Sequence, residues 1–385
     1  MRSPSARLLF VVGVVGLIAF ELAHVWFIMP LPGSQRTRSL EVAYLLYRWR
    51  WPIRAVCAAL MLAGVRGAGG ARGARRALVP VSLVLAGVVA YVTNVTMSAD
   101  HMFRQPTVVD MAPASRNHVD ARRLVVGVVV GGEARAYPVQ FIGYHHQVRD
   151  TIAGRAVLVS YCTVCRTGRV FSPVVGGHGE TFRLVGMDHF NAMFEDRTSG
   201  SWWRQANGEA IAGPRTGARL AEVPSQQVTL ATWLALHPSS LVMQADPAAR
   251  GAYASGFGYE DGTSRSALTG TDTTSWRDKA WVVGLTVAGA SKAYDWNRLR
   301  RERVIEDTLG GRPVVLVLAR DGASFGAFER PDGGTRVAVR GDSIIAAGQA
   351  YALSGVGGRG TLVPVAASQE FWHSWRTFHP ATRVY

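Results

Sequence analysis

The order of apolar and polar positions changes near residue 104, from long uninterrupted apolar runs to short ones. Residues 8–29, "LLFVVGVVGLIAFELAHVWFIM", form an apolar run of 22 residues, which is long enough to cross a hydrocarbon layer of about 30 Å. Residues 78–97 carry no charge over 20 positions. The pattern predicts two transmembrane helices here, and the shorter run at 51–65 predicts either a third span or an interfacial helix.

Charged positions inside and between these runs predict how the helices are oriented. Glu21 and His24 interrupt the first run on one helix face, and we expect both to lie near a membrane interface. The loop at residues 66–76 carries four arginines and directly precedes the most apolar run. Because basic loops stay in the cytoplasm, this loop predicts a soluble region outside it, in a cell membrane protein with several spans.

The distribution of charge argues against nucleic-acid binding. Residues 1–78 contain eleven arginines and two glutamates, and they supply +9 of the formal charge of +15. These arginines flank apolar runs, where basic side chains anchor membrane helices. We therefore expect the membrane as a partner, an unidentified protein partner as an open alternative, and no nucleic acid.

Beyond residue 104, short β-rich runs bounded by glycine turns alternate with short helical segments, which predicts an α+β fold rich in strands. The run "VVGVVVGGEARAYP" (125–138) matches "VVGLTVAGASKAYD" (282–295) at an offset of 157 positions. "TWLALHP" (232–238) likewise matches "SWRTFHP" (374–380). Similarity over such a distance predicts two pseudo-symmetric repeats of one α+β unit.

We therefore predict a membrane anchor at 1–103, a first repeat at 104–245 and a second, degenerate repeat at 246–385. The repeat serves as an internal control, because scaffold positions are expected to match in both copies. Cys162, Cys165 and His145 align with Ala319, Gly322 and Glu302. This difference predicts that the first repeat carries a site and that the second is a scaffold.

The stretch "SYCTVCRTGRVFSP" (160–173) holds two of the three cysteines in the chain. Three cysteines do not make a disulfide framework, and a C-x-x-C pair at the end of an apolar strand fits a metal ion or a redox dithiol. His145 lies 17 residues before Cys162 and is absent from the second repeat together with the cysteines. The sequence thus predicts a metal site of Cys162, Cys165 and His145.

Further candidates lie in two later stretches. "GMDHFNAMFED" (186–196) supplies Met187, Asp188 and His189 as additional ligands. Two thiolates with imidazole and thioether suit copper first and zinc second. A pocket is predicted at Trp202, Trp203, Arg204 and Glu209, although two adjacent tryptophans equally fit a core turn.

Two other functional classes stay open at this stage. Cys162 as an attacking thiol would make the protein a thiol–disulfide oxidoreductase, although "CTVCRTGRVF" lacks the helical pattern that usually follows such a motif. Alternatively, the pair braces a loop in a non-catalytic binding module. Enzymatic activity is therefore left open, and we expect neither a nucleotide nor covalently attached haem, because no histidine follows Cys165.

The soluble region resembles a bacterial family known as domain of unknown function number thirty-one seventy-nine. The likeness is carried by residues 133–173, by "DRTSGSWWRQANGEAIAGP" (196–214) and by "TWLALHP". The start of the chain, with "FIMPLPGSQR", resembles a membrane-anchored subgroup. The resemblance implies no reaction.

The motif of that family has histidine at the position of His145 and cysteines at Cys162 and Cys165. This chain departs from it at Thr163 and Val164, where Pro-Leu is common. It also has His146, where an acidic residue is usual.

Overall fold

The computed structural model of the protein describes residues 4–36, 39–68, 77–331 and 336–385. The predicted cytoplasmic loop includes residues 69–76, which lie outside the described residues. The helices are α1 (Pro4–Ile28), α2 (Leu40–Arg48), α3 (Arg50–Ala68), α4 (Leu78–Tyr91), α5 (Ala99–Met102), α6 (Val139–His145), α7 (Leu230–Leu236), α8 (Trp296–Glu302) and α9 (Trp372–Phe378).

The strands are short and numerous. They are β1 (Met111–Pro113), β2 (Leu124–Val130), β3 (Glu133–Pro138), β4 (Gln147–Ile152), β5 (Arg155–Cys162), β6 (Thr167–Phe171), β7 (Val174–Val175), β8 (His178–Gly179), β9 (Phe182–Asp188), β10 (Asn191–Asp196), β11 (Trp202–Arg204), β12 (Ala210–Ala212), β13 (Ser225–Thr229), β14 (Leu241–Met243), β15 (Trp281–Val287), β16 (Ala290–Asp295), β17 (Val304–Leu309), β18 (Arg312–Leu318), β19 (Phe325–Glu329), β20 (Ala338–Arg340), β21 (Ser343–Ala346), β22 (Gln349–Tyr351), β23 (Val356–Gly357), β24 (Gly360–Thr361), β25 (Ala367–Phe371) and β26 (Arg383–Val384). The α+β class rich in strands is confirmed.

The chain forms two compact units. The first unit contains residues 1–103, 182–203 and 210–217, and the second contains residues 104–181, 204–209 and 218–385. The units thus divide the chain differently from the three predicted domains, because the strands β9 and β10 belong with the N-terminal helices.

The N-terminal helices of the first unit are mostly apolar. Two stretches, Ser5–Ile28 and Leu78–Thr96, are long and apolar enough to cross a membrane, by length and composition. An N-terminal helix of this kind serves as a membrane anchor or as a signal sequence. Helices α1 and α3 pack closely, since a Cβ atom added at Gly64 would lie 2.3 Å from the Phe10 nitrogen.

Glu21 is completely buried and ion-paired within this unit. Arg54 Nε donates to Glu21 Oε1 at 2.7 Å, and Asn94 Nδ2 donates to Glu21 Oε2 at 2.8 Å. A buried carboxylate in an apolar helix bundle needs such partners, because an unpaired charge there is costly. The first unit also contains the sheet with strand order β12-β11-β10-β9.

The second unit is built from mostly antiparallel sheets. A five-stranded sheet has the order β1-β14-β3-β2-β13, and a four-stranded one has the order β25-β15-β16-β26. Each of them contains one parallel pair, β14 with β3 and β16 with β26. Two three-stranded sheets, β4-β5-β6 and β17-β18-β19, and a second five-stranded sheet, β20-β21-β22-β23-β24, also contribute to the core. One apolar cluster contains Tyr161 and Val170 together with Val315 and Phe328, so the two halves of this unit share a core.

Residues 124–171 and 281–329, here named segment one and segment two, have the same order of elements. Each consists of a β-hairpin, a helix of seven residues and a three-stranded antiparallel sheet. In segment one, Gly127 faces Trp233, and a Cβ atom would lie 2.2 Å from the indole. In segment two, Gly284 faces Trp375 with a corresponding distance of 2.1 Å.

Candidate thiol site

The two cysteines of the C-x-x-C motif lie at the tip of one hairpin. Strands β5 and β6 pair antiparallel, with Cys162 opposite Thr167 as the last pair. The apolar residues of β5 are buried, and this fixes the strand in the core up to Cys162. Residues 163–166 form the turn, and Arg166 closes it with φ of 58°.

Both sulfur-bearing side chains are buried inside the second unit. Cys162 and Cys165 have an exposed fraction of 0%, and neither forms a disulfide. The Tyr259 hydroxyl donates to Thr163 O at 3.1 Å and lies 3.2 Å from the Tyr161 hydroxyl. The thiols therefore lie in a closed environment that also contains two phenol groups.

A lysine reaches the peptide between the two cysteines. Lys279 Nζ donates to Val164 O at 2.7 Å and to Leu268 O at 2.5 Å. Burial lowers the pKa of Lys279, while the charges of Cys165 and Cys162 act in the opposite direction. The ammonium group is thus close enough to interact electrostatically with both sulfur atoms.

His373 accompanies the lysine. Its Nε2 atom lies 3.1 Å from Val164 O and 3.3 Å from Lys279 Nζ. Burial, and after it the neighbouring Lys279 charge, lower the pKa of His373 to about 4. The imidazole is consequently neutral at pH 7.

Arg166 fixes the far side of the turn. Its side chain is completely buried. The guanidinium donates to Gln369 Oε1 at 2.9 Å, to Tyr259 O at 2.8 Å and to Glu260 O at 3.2 Å. It also lies 3.6 Å from the centre of the Trp281 ring, which is a favourable cation–π distance.

Three successive carbonyl groups of the turn accept hydrogen bonds from elsewhere in the second unit. The donors are the Tyr259 hydroxyl at Thr163 O, Lys279 Nζ at Val164 O, and Phe371 N at Cys165 O at 2.9 Å. Because buried carbonyl groups need donors, these bonds hold the cysteine turn in one conformation.

Lys279 also lines an open cleft. The cleft has a volume of about 770 Å³ and is lined by residues 265–266, 270–273 and 276–279 together with Arg376. This volume is in the range of clefts that take small molecules. The segment 265–279 has no helix or strand and precedes β15.

His145, the third predicted ligand, has hydrogen-bonding partners at both ring nitrogens. Nδ1 lies against Arg104 O, and Nε2 lies 2.6 Å from the Tyr253 hydroxyl. A carbonyl only accepts, so Nδ1 carries the proton and the neutral ring accepts from Tyr253 at Nε2. Burial lowers the pKa of His145, which fits the neutral form. To bind a metal through Nε2, His145 would have to give up the bond to Tyr253.

The other predicted ligands belong to the first unit. Met187 and Asp188 lie at the end of β9, and His189 Nδ1 lies 2.6 Å from Asp188 Oδ1. Within residues 4–36, 39–68, 77–331 and 336–385, no three His, Cys, Asp or Glu side chains form a group that could hold a metal ion. The three-ligand set of Cys162, Cys165 and His145 stays a prediction.

The residues of the predicted pocket have the contacts of core residues. Trp202 and Trp203 are completely buried in the first unit. Their indole N–H groups donate to Glu195 at 3.2 Å and to Asp196 at 2.8 Å. In the second unit, Arg204 Nη1 lies 3.4 Å from Glu209 Oε2.

Sequence reasoning missed the residues that surround the cysteine turn, namely Lys279, His373, Tyr259 and Arg166. A signal was present for the first of these, because Lys279 is one of only two lysines among 42 basic residues. In a chain that otherwise uses arginine, a lysine points to a position that needs a compact ammonium group.

Residues 103–382 match the family described as "Protein of unknown function (DUF3179)". No curated protein matches the chain, and no solved structure matches it. Because the matched region covers more than half of the chain and includes the whole cysteine hairpin, the protein belongs to the DUF3179 family.

Proposed function

We propose that the hairpin of Cys162 and Cys165 is a thiol site that binds copper(I) in a membrane-anchored, extracytoplasmic protein. One observation carries the proposal: two buried thiols lie three residues apart on a single turn, next to the ammonium group of Lys279. The bonds to the three turn carbonyls support it further, because they hold the thiols in place before any ligand arrives.

The chemistry of the donors favours copper(I) over zinc. Thiolates are soft ligands that select copper(I), and copper(I) accepts two of them in a linear arrangement. Zinc prefers four ligands, and Cys162 and Cys165 supply two. A copper(I) ion held by two thiolates carries a net charge of −1. The charge of Lys279, which acts on both sulfur atoms, offsets this charge in the buried site.

His145 can add a third ligand only if its bond to Tyr253 breaks. We therefore assign the two thiolates as the primary ligands and keep His145 as a secondary candidate. A His145→Ala variant separates the two arrangements, since it weakens copper binding only if the imidazole takes part.

A thiol–disulfide oxidoreductase is the second candidate. The observation that favours it is the same lysine, because a nearby cation stabilises an attacking thiolate. Exchange with a protein disulfide, however, requires access to the attacking sulfur, and both cysteines are completely buried. A brace without chemistry is the third candidate, because it accounts for the bond from Lys279 to Val164 O but gives no reason for two thiols on the turn.

We also propose that segment two is a duplicate of segment one that lacks the site. The support is the shared order of elements and the pairing of equivalent groups at an offset of 157 positions. Tyr137 donates to Asp150 at 2.6 Å, and Tyr294 donates to Asp307 at 2.8 Å. Ala319 and Gly322 stand where segment one has its cysteines.

The extracytoplasmic location is part of the proposal and has its own test. It rests on the basic loop before residue 78 and on the positive-inside rule. A reporter that is active only after translocation, fused after Tyr385, should be active. Activity of a strictly cytoplasmic reporter at the same position would contradict the proposal.

The copper site is tested by metal analysis of the full chain, purified in detergent without oxygen or chelator. We expect one copper(I) per chain and its loss in Cys162→Ser and in Cys165→Ser. Cys57→Ser is the matched control, because Cys57 is the third cysteine and lies on α3 of the first unit. Undiminished copper binding in either serine variant, or its loss in Cys57→Ser, would contradict the proposal. Activity in a disulfide-exchange assay that survives chelation would favour the second candidate.

A further inference from the structure

The cleft beside the cysteine hairpin is lined by more positive than negative side chains. Four basic and two acidic residues contribute to its lining: Arg265, Arg277, Lys279, Arg376, Asp272 and Asp278. The cleft is wholly contained in the second unit. An excess of positive charge in a concave site attracts anions.

Most of these charges already have partners inside the protein. Arg376 Nη2 lies 2.6 Å from Asp278 Oδ1, and Asp272 Oδ1 accepts from Thr274 N at 2.8 Å. Arg265 Nη1 donates to Thr271 O at 3.1 Å. These contacts shape the cleft wall, and the ion pair with Arg376 neutralises one of its two acidic residues, Asp278.

Arg277 is different from the other basic residues of the cleft. Its side chain is exposed and makes no hydrogen bond or ion pair with any residue that the structure describes. The guanidinium group presents a planar set of donors that matches a carboxylate or a phosphate. Arg277 is thus available to bind an oxyanion in the cleft.

Lys279 connects the cleft to the thiols. It lines the cleft, and its Nζ atom donates to the carbonyl of Val164, which lies between the two cysteines. A molecule in the cleft would therefore lie beside the residue whose charge acts on both sulfur atoms.

We propose that this cleft binds a small molecule through an oxyanion group, a carboxylate or a phosphate, with Arg277 as its main partner. The inference does not depend on copper binding, because the guanidinium group of Arg277, and not the thiol pair, would hold the anion.

The binding step is tested on the full chain in detergent by calorimetric titration with citrate and with inorganic phosphate at constant ionic strength. We expect saturable binding of at least one probe, and an affinity about tenfold lower in Arg277→Gln, the equivalent of one ion pair. Citrate binding alone identifies a carboxylate site, and phosphate binding alone identifies a phosphate site. Arg250→Gln is the matched control, because Arg250 is also exposed in the second unit but does not line the cleft.

The inference would be overturned by the absence of saturable binding of either probe, or by equal affinities in wild type and Arg277→Gln. An equal loss in Arg250→Gln would show a general charge effect and would overturn it as well. The equilibrium affinity for copper(I), measured separately, should be unchanged in Arg277→Gln and lost in Cys162→Ser. If copper binding fails while citrate or phosphate still binds through Arg277, the copper function is wrong and the anion site stands.

Discussion

The hairpin turns of segment one and segment two hold their backbone in different ways. In segment two, the carboxylate of Asp321 closes the turn by accepting from Ala323 N at 2.9 Å and from Ser324 N at 2.8 Å. In segment one, the turn from Cys162 to Thr167 has no such carboxylate, and groups from distant parts of the second unit take its place.

The different groups that hold the two turns distinguish a structural turn in segment two from a turn with reactive side chains in segment one. The turn of segment two is closed by its own aspartate, which also accepts from the hydroxyl groups of Thr229 at 2.8 Å and Thr232 at 2.9 Å. A turn held by Tyr259, Lys279 and Phe371 has its shape and its electrostatic environment set by the surrounding protein. Around a pair of thiols, that arrangement provides positive charge and excludes water, which are conditions for a reactive or metal-binding site.

The strongest test of the comparison concerns the scaffold that the segments share. Gly127→Ala and Gly284→Ala each place a methyl group within 2.2 Å and 2.1 Å of an indole ring. We expect each variant to lose about 3 kcal/mol of unfolding free energy, because overpacking forces the ring to move. Urea denaturation in detergent micelles measures the loss. Gly251→Ala is the control, since nothing lies within 4 Å of its added Cβ. A loss at only one of the two glycines would mean that the segments do not share a scaffold.

The turns themselves are compared by removing the group that fixes each of them. Arg166→Gln leaves buried acceptors at Tyr259 and Glu260 without a donor, and we expect a loss of about 2 kcal/mol in unfolding free energy. Asp321→Asn should cost about 1 kcal/mol, because an amide replaces part of the hydrogen bonding. Copper(I) binding should weaken only in Arg166→Gln. Equal weakening in both variants would show that copper affinity follows overall stability.

The third comparison concerns how the stability of the protein depends on pH. His373, the second residue of α9, has a folded pKa of about 4 against an ordinary value of 6.5. The matching second residue of α7 is Ala231. Between these two pH values the unfolded chain binds a proton that the folded chain does not, so stability falls as pH falls below about 6.5. From pH 7 to pH 5 this group should account for a loss on the order of 2 kcal/mol.

His373→Ala should therefore make the unfolding free energy less sensitive to acid over that range, measured by urea denaturation at each pH. His178→Ala is the control, because His178 is exposed in the same unit. If the pH dependence of the unfolding free energy is unchanged in His373→Ala, protonation of His373 does not contribute to the loss of stability in acid.

The smallest expected effect tests whether the equivalent Tyr–Asp bonds of the two segments contribute equally to stability. Tyr137→Phe and Tyr294→Phe each remove one hydroxyl that donates to an aspartate, Asp150 or Asp307. We expect each to cost about 1 kcal/mol of unfolding free energy, the usual value of one such bond. The loss of stability in each variant is measured by thermal unfolding. Clearly unequal shifts would indicate that these two contacts have different roles.

The sequence by itself determined the features that depend on neighbouring residues. Apolar runs at 8–29 and 78–97 predicted helices that are long enough to span a membrane, and two such helices are present. Alternating apolar residues and glycine turns predicted the strand-rich α+β class. The end of the apolar run "VLVSY" placed Cys162 at the end of β5. These features follow from local periodicity and backbone preferences, which can be read within a short window.

Only the tertiary structure decided which residues surround the thiols. Lys279 and His373 meet Val164 across 115 and 209 positions of the chain. No local pattern encodes such contacts, because they arise when the two halves of the second unit bury a common core and bring the turn of one half against residues of the other. For the same reason the sequence did not specify the partners of His145, which are Arg104 and Tyr253. Its partners were chosen by packing around α6, which spacing along the chain does not specify.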